Sequence, residues 1–178
     1  MKIKTTGKSL VELYKEYGTG SAGFYSTSPW WIDEAFAKEK PEAGEYEIEL
    51  GKGLVDLTFD EQKKKINKDF EVIHPAILVE AILSHFKETG ERLLENKYDR
   101  TSSLDSDGDR VYVGRFDASG LHVGNVWGYT RHDEIGVASA RKLKIDSCPL
   151  DTFDSPLTLE SAVKMCVDNG YVVYKQVE

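Results

Sequence analysis

Long apolar runs are missing from this sequence, cysteines are scarce, and its first half has no arginine at all. No apolar stretch approaches the ~20 residues that a helix needs to cross a bilayer, so no membrane association is expected. The only cysteines, Cys148 and Cys166, lack Cys-x-x-Cys spacing, which speaks against a zinc site. The opening Met1–Lys8 stretch is short, basic and threonine-rich, without the basic-then-apolar layout of a secretory signal. A cytoplasmic protein with two reduced thiols is the expectation. Also absent are a phosphate loop ending in Gly-Lys-Ser/Thr, a nucleophile elbow and a His-Glu-x-x-His helix. Gly18–Gly23 is glycine-rich, but no apolar strand precedes it, and it reads as a connector. No cofactor is expected.

Positive charge is the next shortage. Lysine and arginine total 23 against 31 acidic residues, a net charge of −8 over 178 residues. Nucleic-acid affinity comes mainly from neutralising phosphates, so this balance argues against a general nucleic-acid binder and is compatible with a basic protein partner, a small ligand or no specific partner. The arginines that exist, Arg92, Arg100, Arg110, Arg115, Arg131 and Arg141, all follow residue 90. Their planar forks recognise carboxylates and phosphates, which makes the later half the place to look for recognition.

Helix and strand periodicities alternate along the chain. Ser9 and Glu12 form a capping box ahead of a helix over 9–17, and Thr58 with Glu61 forms a second. Ser28-Pro29 predicts the start of a helix running to Lys40 and carrying both Trp30 and Trp31. Adjacent helical residues point about 100° apart, so either both tryptophans are core or one is a binding platform. Residues 44–50 alternate as a half-buried strand, and Pro75 opens the strongest helix, stopped by Gly90. Strands over 98–103, 110–116, 121–127 and 136–143 predict an antiparallel meander with turns at Asp107-Gly108 and Ser119-Gly120. A helix over 158–168 and a strand over 171–177 close the chain. The expected fold is therefore one α+β domain over 1–178, a mainly antiparallel sheet of about six strands packed with four or five helices.

Chemistry concentrates on the meander. A turn at 117–120 would set Arg115 opposite His122, Arg110 opposite Trp127 and Tyr112 opposite Asn125. Arg110, Tyr112, Trp127, Tyr129 and Arg131 are the residue types of protein-binding hot spots. His122, His132, Glu134 and Arg141 are the types for general acid–base hydrolysis, most plausibly by a nuclease. The same side chains also build ordinary structure, arginine stacked on rings and paired with carboxylates. Asp105, Asp107 and Asp109 resemble a calcium loop, but position 12 counted from Ser103 is Gly114, and the bland reading is a hairpin turn. His74 and His85 lie eleven residues apart, about 16 Å along a helix, too far to share a metal.

Arg100-Thr101-Ser102-Ser103, Arg110 through Gly114, and Gly136 through Lys142 resemble a group of small bacterial and phage proteins, a likeness that extends back to Phe36–Pro41 and implies no activity. Gly108-Asp109, Val126-Trp127, His132-Asp133 and Ala138-Ser139 are also similar to motifs of the SUKH immunity proteins. That resemblance implies a non-enzymatic protein that binds another protein.

Overall fold

The computed structural model describes residues 1–143. The chain divides into two units, Met1–Lys142 and Leu143–Glu178. The expected helix over 158–168, the strand over 171–177 and both cysteines lie outside the described residues. The first unit is α+β, and no described helix is long and apolar enough to cross a membrane.

The α+β class with mainly antiparallel strands is as expected, and among the described residues the strands form two four-stranded sheets. The first contains β1 (Lys2–Thr5), β2 (Gly44–Glu49), β8 (Ser139–Lys142) and β3 (Glu71–Val72) in that order, all antiparallel. The second is ordered β6 (Gly120–Val126), β5 (Arg110–Asp117), β4 (Tyr98–Leu104) and β7 (Ile135–Val137). Helix α4 (Pro75–Thr89) buries Ala76, Leu78, Val79, Ala81, Ile82 and Leu83 in the core. It packs on α1 (Leu10–Tyr17) and on β5, where Phe86 meets Phe116 edge-on at 5.0 Å. Glu80 on the same helix is buried, and its carboxylate accepts from the Thr6 backbone N–H and hydroxyl.

Both capping boxes form as read. Ser9 and Glu12 exchange hydrogen bonds at the start of α1, as do Thr58 and Glu61 ahead of α3 (Phe59–Lys63). The helix expected over 29–40 does not extend that far: only Ala35–Lys38 (α2) is helical. The two tryptophans explain the shortfall. In the irregular turn before α2, Trp31 enters the core between Tyr14 and Phe24, with ring centroids at 5.6 and 5.5 Å. Trp30 turns outward and donates its indole N–H to the Val123 carbonyl. The two alternatives open in the sequence are thus divided between the neighbours, Trp31 being 2% exposed and Trp30 44%.

The segment 136–143 is not one strand. Ile135–Val137 pairs with β4, whereas Ser139–Lys142 pairs with β2 and β3 in the other sheet. Ala138 is the pivot. It is fully buried, its N–H donates to the Arg100 carbonyl, and its own carbonyl accepts from Ile73. The meander also ends a strand early, because β7 does not lie beside β6. The connection crosses a face of the sheet, and β7 joins the far edge parallel to β4.

The β5–β6 register is one residue off the sequence expectation. The turn itself is right, Asp117 facing Gly120, but a bulge between Gly114 and Asp117 then puts Gly114 opposite His122, Tyr112 opposite Gly124 and Arg110 opposite Val126. Arg115 takes up the extra residue at φ 44°, where its N–H donates to Lys97. Next to it, a Cβ on Gly114 would stand 2.2 Å from the Lys97 carbonyl oxygen, an atom fixed in the backbone. Gly114→Ala is therefore expected to destabilise the chain by more than about 1 kcal/mol, read as a lowered urea midpoint at unchanged slope.

Candidate functional site

Among the described residues β6 is an edge strand of its sheet, and the large exposed rings lie in the loop beside it or just after it in the chain. The first stretch of the edge is closed by the loop before α2: Leu121 N–H donates to Gly23, and Tyr25 N–H donates to Leu121. Trp30 then covers the Val123 carbonyl. Backbone groups alternate along a strand, so the Val123 N–H and the N–H and C=O of Asn125 face the same outer side. Beyond β6 the chain continues into Trp127 and Tyr129, stacked on each other at 5.5 Å and 58% and 70% exposed. At the other end, Tyr25 stacks on His122 at 4.0 Å. Tyr25, Ser28, Trp30 and His122 share a recess of about 290 Å³. Two groups of exposed rings thus flank the strand, Tyr25 and Trp30 beside its first half and Trp127 with Tyr129 just beyond its end.

Acidic groups gather beside the same strand. Glu34 accepts from the Ser106 N–H and hydroxyl, which joins the segment after Trp30 to the β4–β5 turn. Asp105 accepts from the Asn125 amide in β6 and from the backbone of Asp107 and Asp109. Burial pulls Asp105 upward, but the Asn125 amide and these N–H groups outweigh it and hold the carboxyl below its ordinary range. Asp109 is raised, first by burial and then by repulsion from Asp105 and Asp107. Asp105 therefore serves its own turn. Among the described residues no group of three His, Cys, Asp or Glu side chains is arranged to hold a metal ion. On the segment that carries Glu34, Lys38 is held by the Asp33 carbonyl and carboxylate.

The five residues expected to bind divide in two. Trp127 and Tyr129 are exposed together. Arg110, Tyr112 and Arg131 brace the fold instead. Arg110 lies 4.0 Å over the Phe59 ring and donates to the Ser102 carbonyl. Tyr112 lies across Gly124, where a Cβ would stand 2.4 Å from its hydroxyl. Arg131 donates to the Asp56 carbonyl and the Glu61 carboxylate.

The four residues expected for hydrolysis do not line one cavity. His122 is in the recess beside Tyr25, and burial lowers its pKa from the ordinary histidine range. His132 is exposed and accepts from the Glu134 N–H through Nδ1. Glu134 lines a different cavity, beside Asp99. Arg141 is paired with Glu47 on β2 and lines a third, beside His74.

The sequence sets Tyr25 and Phe24 next to an exposed tryptophan as a binding platform, but sequence reading missed Tyr25's place beside β6, because the loop before α2 is irregular and only the fold brings it there. It also missed Asp99 and Arg100. Both are charged residues in a strand with no apolar alternation, and nothing local signals their burial. No protein-family model, no curated protein and no solved structure matches this chain, so the surface along β6 is read from its own chemistry.

Proposed function

We propose that this chain is a non-enzymatic, immunity-like binding protein whose β6 edge receives an extended, basic segment of a protein partner. The observation that carries the reading is the pair of exposed ring clusters that flank β6, Tyr25 and Trp30 beside its first half and Trp127 and Tyr129 just after its end, with outward backbone groups of Val123 and Asn125 between them. Aromatic side chains offer large contact area at low entropic cost, and isolated soluble domains seldom leave several together in water. The outward backbone groups of Val123 and Asn125 supply the hydrogen bonds for strand addition. The acidic turn beside them, and the net charge of −8, favour lysine and arginine in the occupant. The resemblance to SUKH immunity proteins supports the same class of role. The alternative reading, a nuclease built from His122, His132, Glu134 and Arg141, needs these groups at one phosphate, and no shared cavity supports it.

The test is titration of the full chain with decapeptides that alternate apolar residues with lysine or arginine, and with counterparts carrying glutamate instead. Basic peptides are expected to perturb the amides of residues 123–127 and to weaken as salt is raised. The double substitution Trp30→Ala/Trp127→Ala is expected to weaken binding at least about tenfold while leaving the fold intact, since neither ring belongs to the buried core. Equal affinity in the double variant, or for the glutamate peptides, refutes the reading.

A further inference from the structure

A second cavity, of about 440 Å³, lies on the far side of the same sheet and has Asp99 on its wall. Asp99 is 1% exposed, yet its carboxylate has one hydrogen bond among the described residues, from the Gly51 N–H to Oδ2 at 2.8 Å. The backbone has been stripped to accommodate it: a Cβ on Gly51 or on Gly136 would stand 2.5 Å from Oδ1. Among the described residues no cationic side chain is within ion-pair distance. Glu80 shows what this protein does with a purely structural buried carboxylate, which there accepts three bonds from Thr6. An ionised carboxylate has room for about four acceptor contacts, and burying one with a single partner is unfavourable.

We propose that this cavity is a binding site for a small organic cation, a primary amine or guanidine with an apolar body, whose charged head is received by the Asp99 carboxylate. Val55 and Leu94 supply apolar wall for the body of such a ligand. The charged groups facing the cavity are Lys52 from the segment after β2, Glu95 and Lys97 from the segment before β4, and Glu134 from the segment before β7. Together with Asp99 they make three acids against two lysines, and Lys97 is already tied to the Asp133 carbonyl. An anion would meet the wrong sign. Burial, only partly offset by the Gly51 amide, pushes Asp99 up to about 6, so the carboxylate is ionised at pH 7.5 and protonated at pH 5. A cation held by it is released as the pH falls through that range.

The experiment is amide-resolved NMR titration of the full chain with benzylamine, hexylamine and agmatine, with benzyl alcohol and hexanol as uncharged controls. The Gly51 and Gly136 amides are expected to shift with at least one amine, at least tenfold more tightly than with either alcohol. In wild-type protein that affinity is expected to fall about tenfold between pH 7.5 and pH 5. Asp99→Asn, which keeps an acceptor for Gly51, is expected to erase the preference for amine over alcohol. No response to any amine, a pH-independent affinity, or an undiminished preference in Asp99→Asn overturns the proposal. None of these results bears on the β6 edge, whose peptides are read at residues 123–127.

Discussion

Replacing Arg100 with alanine is expected to lower the unfolding free energy by about 3–5 kcal/mol, enough to unfold a marginal domain. Arg100 is completely buried in β4 and donates to the Leu57 carbonyl, the Gln62 side-chain oxygen and the Thr130 carbonyl. Its guanidinium is a rivet. It ties the segment before α3 and the β6–β7 connection to one face of the sheet. Gln62, itself buried, extends the same network by donating to the Leu54 and Ile135 carbonyls. Alanine leaves three acceptors without their donor and a side-chain-sized void, and each unsatisfied buried group costs about 1–3 kcal/mol. Against this, the charge itself is unfavourable where it stands. Burial and then the neighbouring Arg110 lower the Arg100 pKa, and no carboxylate among the described residues pairs with it. Arg100→Met, which fills the volume and removes the charge, is therefore expected to lose less than Arg100→Ala. Urea unfolding of the two variants measures both effects. A loss below about 1 kcal/mol for Arg100→Ala would remove the rivet role.

Arg100 also marks where sequence reading stops. In the sequence it is one of six late arginines, a residue type that nearly always keeps its charged end in water. What buries it is the long connection from β6 to β7 crossing the sheet, together with α3 beneath it. These are non-local choices that no window of the sequence contains. Where structure is dictated locally, the sequence was sufficient. The boxes at Ser9 and Thr58 and the proline start and glycine stop of α4 form where they were placed. The β4–β5–β6 meander is a local feature of the same kind, and its turn at 117–120 is correct. Its register failed by one residue because a bulge has no propensity signature when an arginine rather than a glycine takes the positive φ. Ala138 escaped for a related reason. The change of sheet falls on an alanine, with no proline or glycine at the pivot itself, and the run of small and apolar residues from Ile135 to Ala140 continues across it. The candidate site was half legible. Trp127 and Tyr129 were visible as adjacent exposed-type aromatics, while Tyr25 and Trp30 reach the same strand only through the fold. The acidic turn was visible as composition, and its role beside β6 depends on Asn125 and Ser106 making contacts across 20 and 72 residues.

Asp99→Asn is expected to raise stability at pH 8 by ~3 kcal/mol and to leave it nearly unchanged at pH 4. The sign follows from the direction of the shift. In the folded chain the Asp99 carboxyl is pushed up to about 6 by burial, whereas in an unfolded chain it titrates near ~3.9. Between these values the folded state holds a proton that the unfolded state has lost, so raising the pH favours unfolding. The contribution of the protonated group is fully present below the unfolded value and is lost as pH rises through about 6, where the buried carboxylate ionises. A difference of about two pKa units corresponds to ~3 kcal/mol at 1.36 kcal/mol per unit. Asparagine never ionises and keeps an oxygen for the Gly51 N–H, so it is spared this loss. Urea unfolding of wild type and variant at pH 4, 6 and 8 should therefore give stabilities that nearly coincide at pH 4, stand apart by most of the gap at pH 6 and differ little more at pH 8. Parallel curves, or a variant that is less stable at pH 8, would mean that the carboxylate is accommodated when charged. An amine that binds the wild type should close the same gap at pH 8, because a ligand held only by the folded, ionised form stabilises it by mass action.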